Sequence, residues 1–219
     1  MAEYTTICNL HKTRIVSTFY IQTHRRGPSD KISYMKKWII GSLVGAIIVF
    51  AWQFLSWTMM GIHSGEERYA SPQDQVLSTL SSSNLEDGMY MLPNTQPGAT
   101  MKEQQNLMQQ NEGKPWARIV YVKSMSTSMA TPIIMGFIVD ILLVVLLISI
   151  LVRGGLPSFT GIFTGAIAVG LFSFLWEPYM QHNWYNVPWS AIKGHLIDAI
   201  VAWGLCGLWL GWWLRRPVN

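Results

Sequence analysis

The chain has 219 residues, of which 50 % are hydrophobic, only 13 % charged and 11 tryptophan. A soluble domain carries about a quarter charged residues, so the composition excludes an ordinary soluble globular protein. The net charge of +4 does not indicate a nucleic-acid binder, because Lys and Arg cluster beside apolar segments and form no basic stripe with stacking aromatics. Two cysteines build no disulfide framework: Cys8 lies in a basic N-terminal segment and Cys206 inside an apolar one.

Residues 1–34 are polar and basic without sustained periodicity and read as a cytoplasmic arm. Met35, Lys36, Lys37 and Trp38 have the form of an ordinary membrane-protein start, so an over-extended gene start is a second expectation for this arm. The first predicted span, 38–60, is uncharged, long enough to cross a hydrocarbon core of roughly 30 Å, and lacks a signal-peptide cleavage pattern, so it reads as an uncleaved anchor. Gly41 and Gly45 form a GxxxG pattern that admits close helix packing.

Between 61 and 131 the composition turns polar, which predicts a small α/β insertion. Ser71, Pro72 and Asp74 predict an N-capped helix over 72–81. Strands are expected at 89–92 and 117–122, pairing with each other, with a helix over 101–111 between them. The second span, 132–152, is interrupted only by Asp140, and Arg153, Gly154, Gly155 and Pro157 then make a turn. The third span, 158–176, carries Gly161 and Gly165 and ends at Glu177 and Pro178. A connection from Met180 to Pro188, with Trp184, Tyr185 and Trp189 as an interfacial aromatic belt, leads into the fourth span, 189–214. The predicted fold is therefore all-α transmembrane: a four-helix membrane bundle with a small extracytoplasmic α/β insertion between spans one and two.

Orientation follows from the short loops. Lys36, Lys37, Arg153, Arg215 and Arg216 fall on one side, whereas 177–188 holds neither Lys nor Arg. Cationic loops stay cytoplasmic, so both termini are expected inside the inner (plasma) membrane and 61–131 outside.

Apolar spans that carry acids demand an explanation, since a charged side chain at a span's centre costs roughly 2.5–3.5 kcal/mol on insertion scales. At 1.5 Å per residue Asp140 and Asp198 both enter from outside to about 13 Å, and Gln53 lies within about 10 Å of that boundary. Ser173, Glu177, His63 and His195 fall around or above it. Gln53, Asp140, Ser173, Glu177, His195 and Asp198 thus form an expected polar intramembrane layer, in which Asp198 meets Asp140, His63, Gln53 and Glu177. Three chemistries compete: interhelical hydrogen bonds that fix packing, a proton or cation site shared by Asp140 and Asp198, and a metal centre that would need His63, His182 or His195 to converge with carboxylates. The familiar zinc spacings are missing, a bis-histidine haem lacks a second intramembrane histidine, and the methionines Met59, Met60, Met89, Met91, Met125 and Met129 suit packing better than Cu(I). Catalytic, cofactor and metal assignments are therefore left at none.

The element Asn183, Trp184, Tyr185 and Pro188 ahead of the last span, with Gly88, Tyr90 and Pro93 in the insertion, resembles an uncharacterised family of bacterial four-span integral membrane proteins. The resemblance covers the chain from about Met35 onward. It departs at Asn186, where glycine is expected, and in the 34-residue extension, and it implies topology but no activity. The expected function is a non-enzymatic accessory or envelope-interaction component that meets the lipid bilayer and a membrane or envelope protein, with no nucleic acid. The alternative is a small proton-coupled or cation-handling carrier using Asp140 and Asp198.

Overall fold

The computed structural model describes residues 28–217, with side chains from Met35 onward. Residues 1–27, most of the expected arm and Cys8 with it, lie outside the described residues. The elements in order are α1 (Pro28–Thr58), α2 (Gln73–Ser82), β1 (Gly88–Leu92), α3 (Met101–Gln110), β2 (Ala117–Tyr121), α4 (Ala130–Leu151), α5 (Phe159–Trp176), α6 (Pro178–Tyr185) and α7 (Trp189–Leu214). Four helical segments are long and apolar enough to cross a membrane: Met35–Thr58, Ala130–Leu151, Phe159–Tyr185 and Trp189–Leu214. The described residues outside Glu67–Pro132 form one compact unit, and Glu67–Pro132 forms a second.

Three expectations need correcting. Helix α1 starts at Pro28, ten residues before the expected span, because hydropathy marks where an apolar stretch begins and a helix backbone continues through polar helix formers such as Lys. The expected connection over 180–188 is largely the helix α6, which ends where Asn186 adopts a left-handed φ of 52°. That is the conformation for which glycine is the default and asparagine the usual substitute, so Asn186 occupies a position that both residues fit. In α2 the N-cap is Pro72 and makes no side-chain cap bond, so Ser71 does not cap it.

The helical unit is organised around α7, which packs directly against both α1 and α5. Its buried Ala202, Trp203, Cys206, Leu210 and Leu214 join Ala46 and Val49 of α1, Val144, Leu147 and Ile148 of α4, and Ile162 and Ala166 of α5 in one core. Without a hydrophobic gain between helices in lipid, association depends on close approach at small residues. A Cβ on Gly45 would lie 2.9 Å from Val144 and 3.2 Å from the Cys206 sulfur, so that GxxxG glycine seats two neighbouring helices. A Cβ on Gly170 would run into the Ala199 carbonyl oxygen. Gly161, by contrast, meets only its own helix cap, Ser158 and Pro157.

One end of this unit is basic and aromatic. The Lys37 ammonium donates to the carbonyl oxygens of Leu214 and Arg216, and the Trp213 and Trp209 indoles donate to Lys37 (2.9 Å) and Gly41 (3.1 Å) carbonyls. Arg215 donates to the Pro157 carbonyl at 2.9 Å, and the Arg216 guanidinium lies 3.4 Å over the Trp212 ring. Lys37 thereby satisfies carbonyls that the C-terminus of α7 leaves without intrahelical donors.

In the second unit, β1 and β2 pair antiparallel with Tyr90 opposite Ile119. Glu86 and Asp87 hold the far edge: Lys123 pairs with Glu86 at 2.6 Å and donates its backbone N–H to Asp87 at 2.8 Å. Helix α3 starts in a capping box, with Thr100 and Glu103 each accepting from the other's backbone N–H. No residue from Glu67 to Pro132 is buried.

Two outcomes follow from this packing. Gly170→Ala sets a methyl against a backbone oxygen that cannot rotate away, and overpacking of that kind costs about 1–3 kcal/mol; Gly136→Ala, with nothing within 4 Å of the added carbon, does not destabilise. Thermal unfolding of the two purified variants in one detergent compares them. In the capping box, the Thr100 backbone N–H and hydroxyl hold the Glu103 carboxyl below its ordinary value. Its contribution is therefore complete above the ordinary Glu pKa and lost as pH falls through the lowered one; Glu103→Gln removes that acid-sensitive part of α3, read as helicity against pH, whereas Thr100→Ala keeps the backbone donor and removes only the hydroxyl's share.

Candidate cation site

The last turns of α1 present Trp52 and Ser56 on one face, four residues apart and one turn above the other. Both donate to the same oxygen of Asp198 on α7: the Trp52 indole N–H at 2.8 Å and the Ser56 hydroxyl at 2.6 Å. After Thr58 the chain reverses through Gly61 at φ 62°, and a tight turn follows in which the Glu66 N–H donates to the His63 carbonyl at 2.9 Å. That turn sits on α7 because two glycines allow it. A Cβ on Gly65 would be 2.6 Å from the Ser190 carbonyl oxygen, and one on Gly194 would be 2.8 Å from the His63 ring. The other face of His63 stacks on Trp57, with ring centroids 4.0 Å apart and planes 8° off parallel.

So held, His63 is buried, 7 % exposed, and both ring nitrogens are engaged. Nε2 lies 2.9 Å from the second Asp198 oxygen and 3.0 Å from the Ser56 oxygen. Ser56 has already given its one proton to Asp198, so Nε2 faces two acceptors and carries the hydrogen. Nδ1 lies 3.0 Å from one Glu66 oxygen, and the other Glu66 oxygen lies 3.2 Å from Nε2 of His195. The two imidazoles approach edge to face at 5.1 Å between centroids.

The consequence is electrostatic. A bare Nδ1 lone pair of His63 at hydrogen-bond distance from a carboxylate is repulsive, whereas His195 can meet the other Glu66 oxygen by donating its Nε2–H. Two neutral imidazoles and the carboxylates of Glu66 and Asp198 would leave two negative charges on a half-buried site with no cationic partner, one of them against the buried His63. The space between His63, Glu66 and His195 therefore requires positive charge, as protons or as a cation. The ligand atoms of these three residues all lie within 4.8 Å of one another.

The sequence-expected layer is partly gathered here. Gln53, Ser173, Glu177, His195 and Asp198 line one cavity of about 660 Å³ with otherwise mostly apolar walls. Asp140 is 2 % exposed; its one hydrogen-bonded oxygen accepts from the Gln53 amide at 3.4 Å, and its other oxygen has no partner among the described residues. Among the described residues no hydrogen bond or ion pair joins Asp198 to Asp140, Gln53 or Glu177, so of the four expected partners of Asp198 only His63 touches it. Ser173 donates to the Gly170 carbonyl of its own helix at 2.7 Å. His182 is elsewhere, donating Nδ1–H to the Val187 carbonyl at 2.7 Å. Met89 sulfur accepts from the Arg118 guanidinium at 3.1 Å, and Met125 is 89 % exposed.

Sequence reading did not single out Glu66, Ser56 or Trp52. The signals were present: Ser56 is a polar residue four positions from Trp52 at the end of an apolar span, and His63 and Glu66 sit three apart in the first turn beyond it. Comparison with protein-family models, with curated proteins and with solved structures finds no match. The site's chemistry rests on its own geometry.

The two acids, Asp140 buried and Asp198 partly buried, should respond oppositely to removal. Asp198→Leu leaves an indole N–H, a hydroxyl and an imidazole N–H without their acceptor, at about 1–3 kcal/mol for each unsatisfied group. Asp140→Leu removes a nearly unpartnered buried carboxylate and is neutral or stabilising. Thermal unfolding in detergent ranks them; equal loss in both variants contradicts the assignment.

Proposed function

We propose that the chain is a non-enzymatic, multi-pass component of a cell's inner (plasma) membrane, with both termini cytoplasmic and residues 61–131 extracytoplasmic, which holds a cation at the extracytoplasmic head of its helix bundle. The carrying observation is that His63, Glu66, His195 and Asp198 converge at one end of four long apolar helices while Lys37, Arg215 and Arg216 gather at the other. Cationic residues favour the cytoplasmic side, so this polarity supports the stated orientation.

The layout speaks for holding an ion and against moving one. Beyond the cluster the interior is filled by Ala46, Leu147, Ile162, Cys206 and Leu210, each at most 1 % exposed, and an ion path across a bundle needs polar or water-filled lining. The carrier reading built on Asp140 and Asp198 is the weaker one, because no described hydrogen bond or ion pair joins the two, although Gln53, bonded to Asp140, lines the same cavity as Asp198. A partner-docking role for Glu67–Pro132 is favoured by a separate observation: a unit of this size with a two-stranded sheet and no buried residue has little core of its own, while exposing Trp116, Val120 and Met91.

Proteoliposomes and labelling test the reading. In a Cys8→Ser background, Ser126→Cys should react with an impermeant thiol reagent from outside intact cells and Gly154→Cys only after permeabilisation, and reconstituted protein should pass no proton or cation flux. The opposite labelling pattern overturns the orientation. A flux abolished by Asp140→Asn and Asp198→Asn restores the carrier.

A further inference from the structure

Resting on the cation-holding reading of the same cluster, we propose that the cation is a divalent transition metal of the zinc class, bound by Nδ1 of His63, the Glu66 carboxylate and Nε2 of His195, with Asp198 as the positioning residue behind His63. Four features of the cluster point this way. The first is spacing. Bonds of 2.0–2.1 Å at a tetrahedral angle set ligand atoms about 3.3 Å apart. Nδ1 of His63 and Nε2 of His195 lie 3.0 and 3.2 Å from the two Glu66 oxygens, and no pair among the three ligand atoms exceeds 4.8 Å. Shifts of about an ångström close such a site.

The second is the arrangement behind His63. Metal-ligating histidines donate their other ring N–H to a carboxylate, which fixes the tautomer and raises ligand basicity. His63 does so through Nε2 to Asp198 at 2.9 Å, and Asp198 is itself fixed by Trp52 and Ser56. This leaves Nδ1 as the ligand atom, aimed at Glu66 by the turn.

Charge is the third. Glu66 and Asp198 contribute two negative charges, the imidazoles none when they ligate, and a divalent ion brings the group to neutrality; a monovalent ion does not.

Ligand type is the fourth. Two imidazoles and one carboxylate suit zinc and its neighbours, whereas Mg²⁺ and Ca²⁺ take oxygen sets and Cu(I) takes soft sulfur. The one described cysteine, Cys206, is buried in the apolar core. Three protein ligands leave a fourth position for water, and the cavity lined by His195 and Asp198 provides an approach to it.

The test uses the full chain, stripped with a chelator in detergent or nanodiscs and titrated with Zn²⁺, then with Co²⁺ for its visible spectrum. Wild type should take up one equivalent of Zn²⁺ per chain, give a low-coordinate Co²⁺ spectrum, and unfold at higher temperature with metal than without. Glu66→Gln and His195→Ala should lose saturable uptake, Asp198→Asn should weaken it roughly 10–100-fold, and Asp140→Asn should leave it unchanged. The wild-type Co²⁺ spectrum is independent of whether any variant folds. No saturable uptake by folded wild type, or uptake unaltered in all three cluster variants, overturns the metal. Labelling and flux are separate readouts: metal failure with the expected labelling and no flux leaves the membrane component standing, whereas reversed labelling with intact uptake overturns the orientation alone.

Discussion

The carboxylate of Asp198 is the constraint on which the site depends. An acid on an apolar helix must be given donors or it is expelled, and here they come from two places. Trp52 and Ser56 reach it from α1, and His63 reaches it from the turn beyond α1. One group therefore ties the end of the first long helix to the start of the last, in a region where α1 and α7 pack directly. The turn from Gly61 to Glu66, which composition assigns to the polar insertion, belongs structurally with the helices.

Once Asp198 fixes Nε2 of His63, the rest of the cluster has little freedom. The ring cannot flip without setting Cε1 against the Asp198 and Ser56 oxygens and Cδ2 against Glu66, its faces are closed by Trp57 and Gly194, and its remaining nitrogen must meet Glu66. Glu66 in turn spans both histidines, one with each oxygen. Buried polar networks are stabilising only when every member is satisfied, and this one is satisfied only with positive charge at its centre. Asp140 offers the contrast: a carboxylate at similar expected depth whose second oxygen finds no partner among the described residues.

Much of the architecture was legible in the sequence because membrane-length apolar runs are a strong one-dimensional signal. The last helix, Trp189–Leu214, coincides with its expected span, and both strands lie within a residue of their expected bounds. What hydropathy cannot convey is rotation about each helix axis. Arithmetic gives Asp140 and Asp198 a matching expected depth, but depth does not say which neighbour a side chain faces, and they face different ones. Glu66 escaped notice because its partners, His63 in a turn and His195 on α7, come together only through tertiary packing. The fit of the turn onto α7 at Gly65 and Gly194 has no sequence signature beyond the glycines themselves, and glycine is common in this chain.

The central claim is the orientation of His63. Long-range ¹H–¹⁵N correlation spectra of histidine-labelled protein in nanodiscs, assigned through His63→Gln, measure it directly. The account predicts a hydrogen on Nε2 that persists with slow exchange and vanishes from its position in Asp198→Asn. A His63 ring bearing its only hydrogen on Nδ1, or one whose signal is indifferent to Asp198, would contradict it.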